Sequence, residues 1–131
     1  MADRFLDTNI LVYAYASNDA KRVACRDLIR AGGAVSVQAL NEYAAVARRK
    51  YRHGWPEIEL AVAAFSSALA VHPITAETAR YARQLAADTG YSIYDALMLA
   101  VALENGASAF LSEDLQHGRV VEGMEIRNPF S

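Results

Sequence analysis

The sequence predicts an α/β protein, a three-layer α/β/α sandwich around a mainly parallel central sheet of four to five strands. Short strand-like apolar stretches alternate with longer stretches of helical periodicity along the chain, a pattern typical of βαβ units with parallel strands. The length of 131 residues, of which 53% are hydrophobic, suits one domain with one core. We therefore expect residues 1–131 to form a single domain.

The first half of the chain contains two predicted strands and three predicted helices. Asn18 or Asp19 can cap the second helix, because short polar side chains accept hydrogen bonds from the first free N–H groups of a helix. Gly32 and Gly33 end that helix. In order, the elements are a strand at 4–7, a helix at 10–16, a helix up to about 30, a strand at 34–37 and a helix from about 38 to 52.

The second half continues the alternation. Pro56 lies in the first turn of a predicted helix, where proline is tolerated. Thr75 and Ser92 can cap two later helices, which end at Gly90 and Gly106. In order, the elements are a helix up to about 69, a strand at 70–74, a helix up to 90, a helix at 93–105, a strand at 108–112, and one or two edge strands within 119–121 and 124–128.

Composition excludes several classes of protein. No apolar run reaches the roughly 18–20 residues needed to cross a membrane, and the N-terminal MADRFLD has no signal-peptide core, so we expect a soluble, cytoplasmic protein. Cys25 is the only cysteine, which excludes an internal disulfide and a thiolate metal cluster. Because the formal net charge is −2, binding of a nucleic acid would require a local basic patch.

Four acidic residues fall near the carboxyl ends of predicted strands, where open parallel sheets bind their ligands. Carboxylates from distant segments can converge there, and a divalent cation such as Mg²⁺ or Mn²⁺ would remove their mutual repulsion. Such a site can activate water for cleavage of a phosphodiester. The predicted site consists of these four acids and two neutral oxygen donors beside them: Asp7, Glu42, Asp95, Asp114, Asn9 and Ser112.

Each acid also has a purely structural explanation. Asp7 can cap the first helix, and the spacing of Ser92 and Asp95 fits a capping box. Glu42 lies opposite an apolar stripe, which is typical of a solvated helix face, and Asp114 can cap a short turn. The joint placement of the acids on one side of the sheet, rather than any single acid, favours the metal site.

Four blocks of the sequence, FLDTNILVYAY, NEYAAVARRK, YSIYDALMLAVA and FLSEDLQHG, resemble in order and spacing the motifs of PIN-domain ribonucleases, and especially those of VapC-like toxins of type II toxin–antitoxin pairs. The resemblance covers essentially the whole chain. It implies a metal-dependent endoribonuclease that uses Mg²⁺, with Mn²⁺ able to substitute, and that cleaves RNA to inhibit translation and growth. It also implies a homodimer and a cognate antitoxin that occupies or blocks the acidic site.

The resemblance assigns roles to individual residues. It implies that Asp7, Asp95 and Asp114 hold the metal, and that Glu42 ligates a metal or orients the attacking water. Some members of the family have a further acid where this chain has Gln116, so we leave that position out of the site. The resemblance also implies supporting roles for the remaining two polar residues, Asn9 and Ser112.

A basic stretch follows the second acid. Basic residues can contact phosphates and aromatic rings can stack on bases, although cations at the end of a helix also complement its dipole. The candidate RNA-binding residues are Arg48, Arg49, Lys50 and Arg52, beside the aromatic and histidine residues Tyr51, His53 and Trp55.

Other functions account for the sequence less well. A phosphoacceptor receiver domain needs a late lysine, but the lysines here are Lys21 and Lys50. Haloacid-dehalogenase-like phosphatases need an acid where this chain has Asn9. Two alternatives within the PIN-like class stay open, namely a housekeeping RNA-processing nuclease and a catalytically silent module that only binds a partner.

Overall fold

A six-stranded sheet forms the centre of the computed structural model of the chain, which describes residues 3–131. In chain order the strands are β1 (Arg4–Leu6), β2 (Ala34–Ser36), β3 (Ala70–His72), β4 (Ala109–Leu111), β5 (Val120–Val121) and β6 (Met124–Arg127). They lie in the spatial order β3–β2–β1–β4–β6–β5, and all neighbours are parallel except β5 and β6. Residues 1 and 2 of the predicted domain lie outside the described part of the chain.

The predicted α/β sandwich with a mainly parallel sheet is confirmed, and the sheet has six strands rather than four or five. The additional strand arises because both candidate edge segments form strands, β5 and β6, joined as a hairpin. Glu122 and Gly123 connect them with φ values of 49° and 84°, as a two-residue turn that matches the twist of a hairpin requires.

Six helices accompany the sheet in the described residues. They are α1 (Thr8–Tyr15), α2 (Arg22–Arg30), α3 (Val37–Arg49), α4 (Trp55–Ala68), α5 (Ala76–Thr89) and α6 (Ile93–Glu104). Helix α1 packs against α2 and α3, and α5 packs against α6. Within residues 3–131, no helix has the length and apolar character that crossing a membrane requires.

The predicted helix caps are partly confirmed. The side chains of Thr75 and Ser92 accept the backbone N–H groups of Thr78 and Asp95, each at 3.1 Å, and so begin α5 and α6. The prediction that Asn18 or Asp19 caps α2 is wrong, because α2 begins only at Arg22 and has no side-chain cap. Asp19 instead accepts the N–H of Lys21 at 2.8 Å within the preceding turn.

Helix α3 ends at Arg49, three residues before the predicted end. The reason is Arg52, which adopts a left-handed backbone conformation with φ of 57°. The N–H of His53 then donates to the carbonyl of Ala47 at 3.0 Å. A left-handed residue followed by such a bond is a common way to close a helix.

The sheet register places two segments of the candidate site side by side. Leu6 at the end of β1 is paired with Leu111 at the end of β4, and both side chains are buried. The N–H of Asp7 donates to the carbonyl of Leu111 at 2.9 Å. Asp7 and Ser112 therefore leave the carboxyl edge of the sheet next to each other.

Candidate active site

Asp7 connects the first strand to the first helix. Its Oδ1 accepts the N–H of Thr8 at 2.7 Å and its Oδ2 accepts the hydroxyl of Ser112 at 2.8 Å. The residue is only 8% exposed, so both oxygens find the partners that a buried carboxylate needs. The prediction that Asp7 caps α1 is confirmed, and the second oxygen is directed to the segment after β4.

Ser112 joins Asp7 to the loop that carries Asp114. The serine is fully buried, and it donates its single hydroxyl hydrogen to Asp7. Its oxygen accepts the N–H groups of Asp114 at 3.1 Å and Leu115 at 3.3 Å. A hydroxyl has one donor and two acceptor positions, which these three bonds use, and the amide Nδ2 of Asn9 makes a longer contact to the same oxygen at 3.5 Å.

Asn9 holds the exposed carboxylate of Asp114. The amide Nδ2 of Asn9 donates to Oδ2 of Asp114 at 3.1 Å, while Oδ1 of Asn9 lies 3.5 Å from the N–H of Glu113. The two polar residues predicted from the sequence to support the acids, Asn9 and Ser112, thus both contact them.

Glu42 reaches the same edge from α3. It is half-buried, and it accepts the hydroxyl of Thr8 at 2.8 Å and the amide of Gln38 at 3.0 Å. Sequence reasoning missed Thr8, which links Asp7 to Glu42 through its backbone N–H and its hydroxyl. The only sequence signal was its place in the D-T-N block.

Asp95 lies in the first turn of α6, half-buried. Burial is the main cause that raises its pKa above the usual value, and the charges of Glu42 and Asp114 add to it, against a hydrogen bond from Ser92 that lowers it. The half of the predicted capping box in which Ser92 accepts the N–H of Asp95 is confirmed.

The acids also act on one another electrostatically. Burial raises the pKa of Asp7 to about 6, although hydrogen bonds from Ser112 and Thr8 lower it. The charges of Asp114 and Asp95 raise the pKa of Asp7 further. The structure therefore brings the four predicted acids, Asp7, Glu42, Asp95 and Asp114, to one edge of the sheet.

The donor set suits a hard cation in its chemistry but does not form a ready cage. Within residues 3–131, no group of three or more acidic, histidine or cysteine side chains is arranged closely enough to hold a metal ion directly. Mg²⁺ usually keeps several water molecules and takes only one or two carboxylates from the protein. These residues therefore suit a cation that is bound partly through water molecules. Both carboxylate oxygens of Asp7 already accept hydrogen bonds.

A cleft of about 510 Å³ is lined by two of the four acids, Glu42 and Asp114, whereas Asp7 and Asp95 are not among its lining residues. Helix α3 forms one wall with Glu42, Val46 and Arg49, whose spacing of four and three residues keeps them on one helix face. Lys50, directly after the helix, also lines the cleft. Asp114 is far from α3 in the sequence but lines the same cleft.

The structure divides the predicted basic patch. Arg49 and Lys50 line the cleft together with Tyr51. The guanidinium of Arg48 instead lies over the ring of Trp55, 5.2 Å from its centroid, and donates to a backbone carbonyl. Arg52 is exposed and is not among the residues that line the cleft.

Comparison with known proteins gives a family match. Residues 4–123 match the model of the PIN domain. A search of curated proteins gives no significant match.

Solved structures share the fold. VapC20 from Mycobacterium tuberculosis, described as a toxin that cleaves the sarcin–ricin loop, is 23% identical with a TM-score of 0.68, over 82% of this chain and 86% of that one. A toxin–antitoxin complex from Klebsiella pneumoniae is 19% identical with a TM-score of 0.73, over 96% and 97%. DNA-bound VapBC from Salmonella typhimurium is 19% identical with a TM-score of 0.72, over 98% and 99%.

Proposed function

The chain belongs to the PIN-domain family, and on that premise we propose that it is a metal-dependent endoribonuclease acting as the toxin of a type II toxin–antitoxin system. The observation that carries this proposal is the linked set of Asp7, Ser112 and Asp114, with Glu42 and Asp95 at the same edge of the sheet. The similarity in fold to a toxin described as cleaving an RNA loop supports it.

We assign the metal to Asp7, Asp95 and Asp114, with Mg²⁺ as the cofactor and Mn²⁺ able to substitute. A divalent cation bound there supplies a more acidic water molecule and positive charge beside the phosphate that is cleaved. Glu42 orients the attacking water or takes part in metal binding. Thr8 fixes the Glu42 carboxylate through its hydroxyl.

The residues around the acids set their orientation. Ser112 prevents rotation of Asp7 and fixes the backbone of the Asp114 loop at the same time. Asn9 directs one oxygen of Asp114, leaving its other oxygen available for metal or water.

RNA is the proposed substrate. Of the four basic residues predicted to contact it, Arg49 and Lys50 line the cleft beside Glu42 and Asp114, which supports their contact with phosphates on either side of the cleaved bond. Arg48 and Arg52 would contact RNA only where it extends beyond the cleft.

We also propose a cognate antitoxin that blocks the acidic site, a homodimer, and action in the cytoplasm. The similarity in fold to the toxin–antitoxin complexes from Klebsiella pneumoniae and Salmonella typhimurium supports the antitoxin. Light scattering on the purified chain tests the dimer.

The test is RNA cleavage by Asp114→Asn, with Asp88→Asn as the matched control, because Asp88 is also an exposed acid but lies on α5. We expect the wild type to cleave RNA in Mg²⁺ and not in chelator. Loss of one group that binds the metal or stabilises the transition state typically costs about 100-fold or more in rate, so Asp114→Asn should cleave at least 100-fold more slowly, and Asp88→Asn at the wild-type rate.

The same variants test the toxin assignment in cells. Expression of the wild type and of Asp88→Asn should arrest growth, Asp114→Asn should not, and co-expression of a small antitoxin encoded beside the chain should restore growth. Wild-type cleavage by Asp114→Asn, or equal cleavage in chelator, would show that the metal-site assignment is wrong.

A further inference from the structure

We propose that Tyr51 is the stacking platform of a subsite that binds one unpaired nucleotide of the RNA, with Lys50 and Arg49 holding the adjacent phosphates. The inference rests on the proposed ribonuclease function and deepens it, because it identifies the form of RNA that the cleft accepts. That form is a strand with an unpaired base that is not stacked between its neighbours.

The cleft has the dimensions and charge layout of a nucleotide site. Its volume of about 510 Å³ lies within the usual range for small-ligand pockets, roughly 300–1,000 Å³. Glu42 and Arg49 both line it, seven residues apart on α3, which corresponds to about 10 Å along the helix. The acidic end of the cleft, at Glu42, and its basic end, at Arg49, are therefore farther apart than two neighbouring phosphates of an RNA strand.

Tyr51 is held as a fixed surface rather than a mobile side chain. It is half-buried, packs against the hydrophobic core and lines the cleft. The backbone on both sides of it is fixed, because the N–H of Lys50 donates to Val46 at 2.8 Å and that of His53 donates to Ala47 at 3.0 Å. Such a ring can receive a base without losing much conformational freedom.

A cation lies over a face of this ring. The ammonium of Lys50 is 5.4 Å from the centroid of Tyr51. When RNA binds, this flexible side chain turns to a phosphate and a base takes its place on the ring, so that phosphate contact and stacking surface are neighbours, as the alternation of phosphate and base along a strand requires. Arg49 adds a second cation to the lining of the same cleft.

The ring selects unpaired nucleotides for a geometric reason. In an A-form duplex the base faces are covered by neighbouring bases, so an aromatic side chain reaches a face only when the base is splayed out of a loop, bulge or single strand. The acids at the other end of the cleft would then act on a phosphate next to that nucleotide.

The experiment measures binding of a fluorescein-labelled single-stranded 12-nucleotide RNA by anisotropy, in chelator so that cleavage does not interfere. The variants are Tyr51→Leu, Tyr51→Phe and Lys50→Ala, with Arg83→Ala as the control, since Arg83 is an exposed cation on α5 outside the cleft lining. Circular dichroism melting checks that each variant folds.

We expect Tyr51→Leu to weaken binding of the single strand about tenfold or more, and Tyr51→Phe and Arg83→Ala to stay within twofold of the wild type. Lys50→Ala should reduce the slope of log affinity against log salt by about 0.7, the contribution of one phosphate contact on a single strand, whereas Tyr51→Leu should leave that slope unchanged. Annealing the RNA to its complement should remove the difference between the wild type and Tyr51→Leu.

A second measurement keeps the inference testable if Tyr51→Leu does not fold. The wild type should bind a 12-nucleotide RNA with abasic sites in place of its central bases about tenfold more weakly than the intact strand, because stacking is lost while the phosphates remain. Equal binding of the two strands, wild-type affinity of a folded Tyr51→Leu, or no RNA binding by the wild type would each overturn the inference. None of these outcomes depends on cleavage, so the Asp114→Asn assay judges the nuclease assignment separately.

Discussion

At the scale of single residues, Ser112 determines how the acidic edge is built. Its hydroxyl gives its only hydrogen to Asp7, and its oxygen receives two loop N–H groups. One buried side chain thus couples the end of β1 to the loop after β4. The hydroxyl of Ser112 stabilises the Asp7 carboxylate without a cationic side chain. The negative charge of Asp7 is therefore not neutralised by the protein and is available for a ligand.

The burial of Asp7 predicts how stability depends on pH when metal is removed by a chelator. Its pKa in the folded protein is about 6, against an ordinary value of 3.8. Well below the ordinary value of 3.8 the group is protonated in both the folded and unfolded states, so stability does not change with pH there and is at its highest with respect to this group. Between pH 4 and 6 the unfolded chain ionises first, so the free energy of unfolding falls as pH rises, by roughly 3 kcal/mol in all for a shift of this size.

The measurement is urea denaturation in chelator from pH 4 to 7.5, for the wild type and for Asp7→Asn. The asparagine variant loses the hydroxyl bond from Ser112 at every pH, which adds a constant offset. We expect the stability of the wild type relative to Asp7→Asn to fall as pH rises through this range. A difference that stays constant with pH would contradict the raised pKa.

At the scale of elements, the end of α3 is strained in a way that a single substitution can relieve. Arg52 has φ of 57°, a conformation that costs residues with a Cβ roughly 1–2 kcal/mol and glycine almost nothing. Arg52→Gly should therefore raise the free energy of unfolding by roughly 0.5–1 kcal/mol, after the extra entropy of glycine in the unfolded chain is subtracted.

The matched control is Ala45→Gly, an exposed position inside α3, where glycine should lower the free energy of unfolding by about 1 kcal/mol. Thermal or urea melting of the two variants gives the comparison. Destabilisation by both substitutions would mean that the conformation at Arg52 does not carry the expected strain.

Local signals explain which elements could be predicted from the sequence. Thr75 and Ser92 cap helices through bonds to residues three positions away, so their pattern is visible in the chain itself. The end of α3 was not predictable, because a left-handed arginine carries no signal such as glycine would. The bond between Thr8 and Glu42 joins residues 34 positions apart and depends on tertiary packing. Strand-end position and chemistry were enough to select the four acids with Asn9 and Ser112, but not Thr8.

At the scale of the whole molecule, the α1–α2 region and the C-terminal segment converge on the loop that carries Asp114. Lys21, just before α2, binds Glu113 at 2.7 Å. Its ammonium lies 4.9 Å from the ring centroids of both Tyr13 on α1 and Phe130 near the C-terminus, and these rings meet edge-on at 6.0 Å.

The C-terminal segment makes a second contact with the same loop. The N–H of Asn128 donates to Nδ1 of His117 at 2.8 Å, and the side chain of Asn128 accepts the N–H of Phe130 at 2.9 Å. His117 therefore has a structural partner in the C-terminal segment. The loop with Asp114 is held from the helix side by Lys21 and from the C-terminal side by Asn128.

Breaking the Lys21 contact should loosen that loop without unfolding the protein. Lys21→Met keeps an unbranched apolar side chain against the two rings and removes the ion pair with Glu113. Arg30→Met is the matched control, because Arg30 lies in α2 and pairs with Asp27 at 2.8 Å, away from the loop. We expect hydrogen exchange to become severalfold faster in peptides covering 112–118 for Lys21→Met only, with unchanged exchange in β4 and a nearly unchanged melting temperature. Equal exchange in both variants would show that the Lys21 contact does not hold the loop.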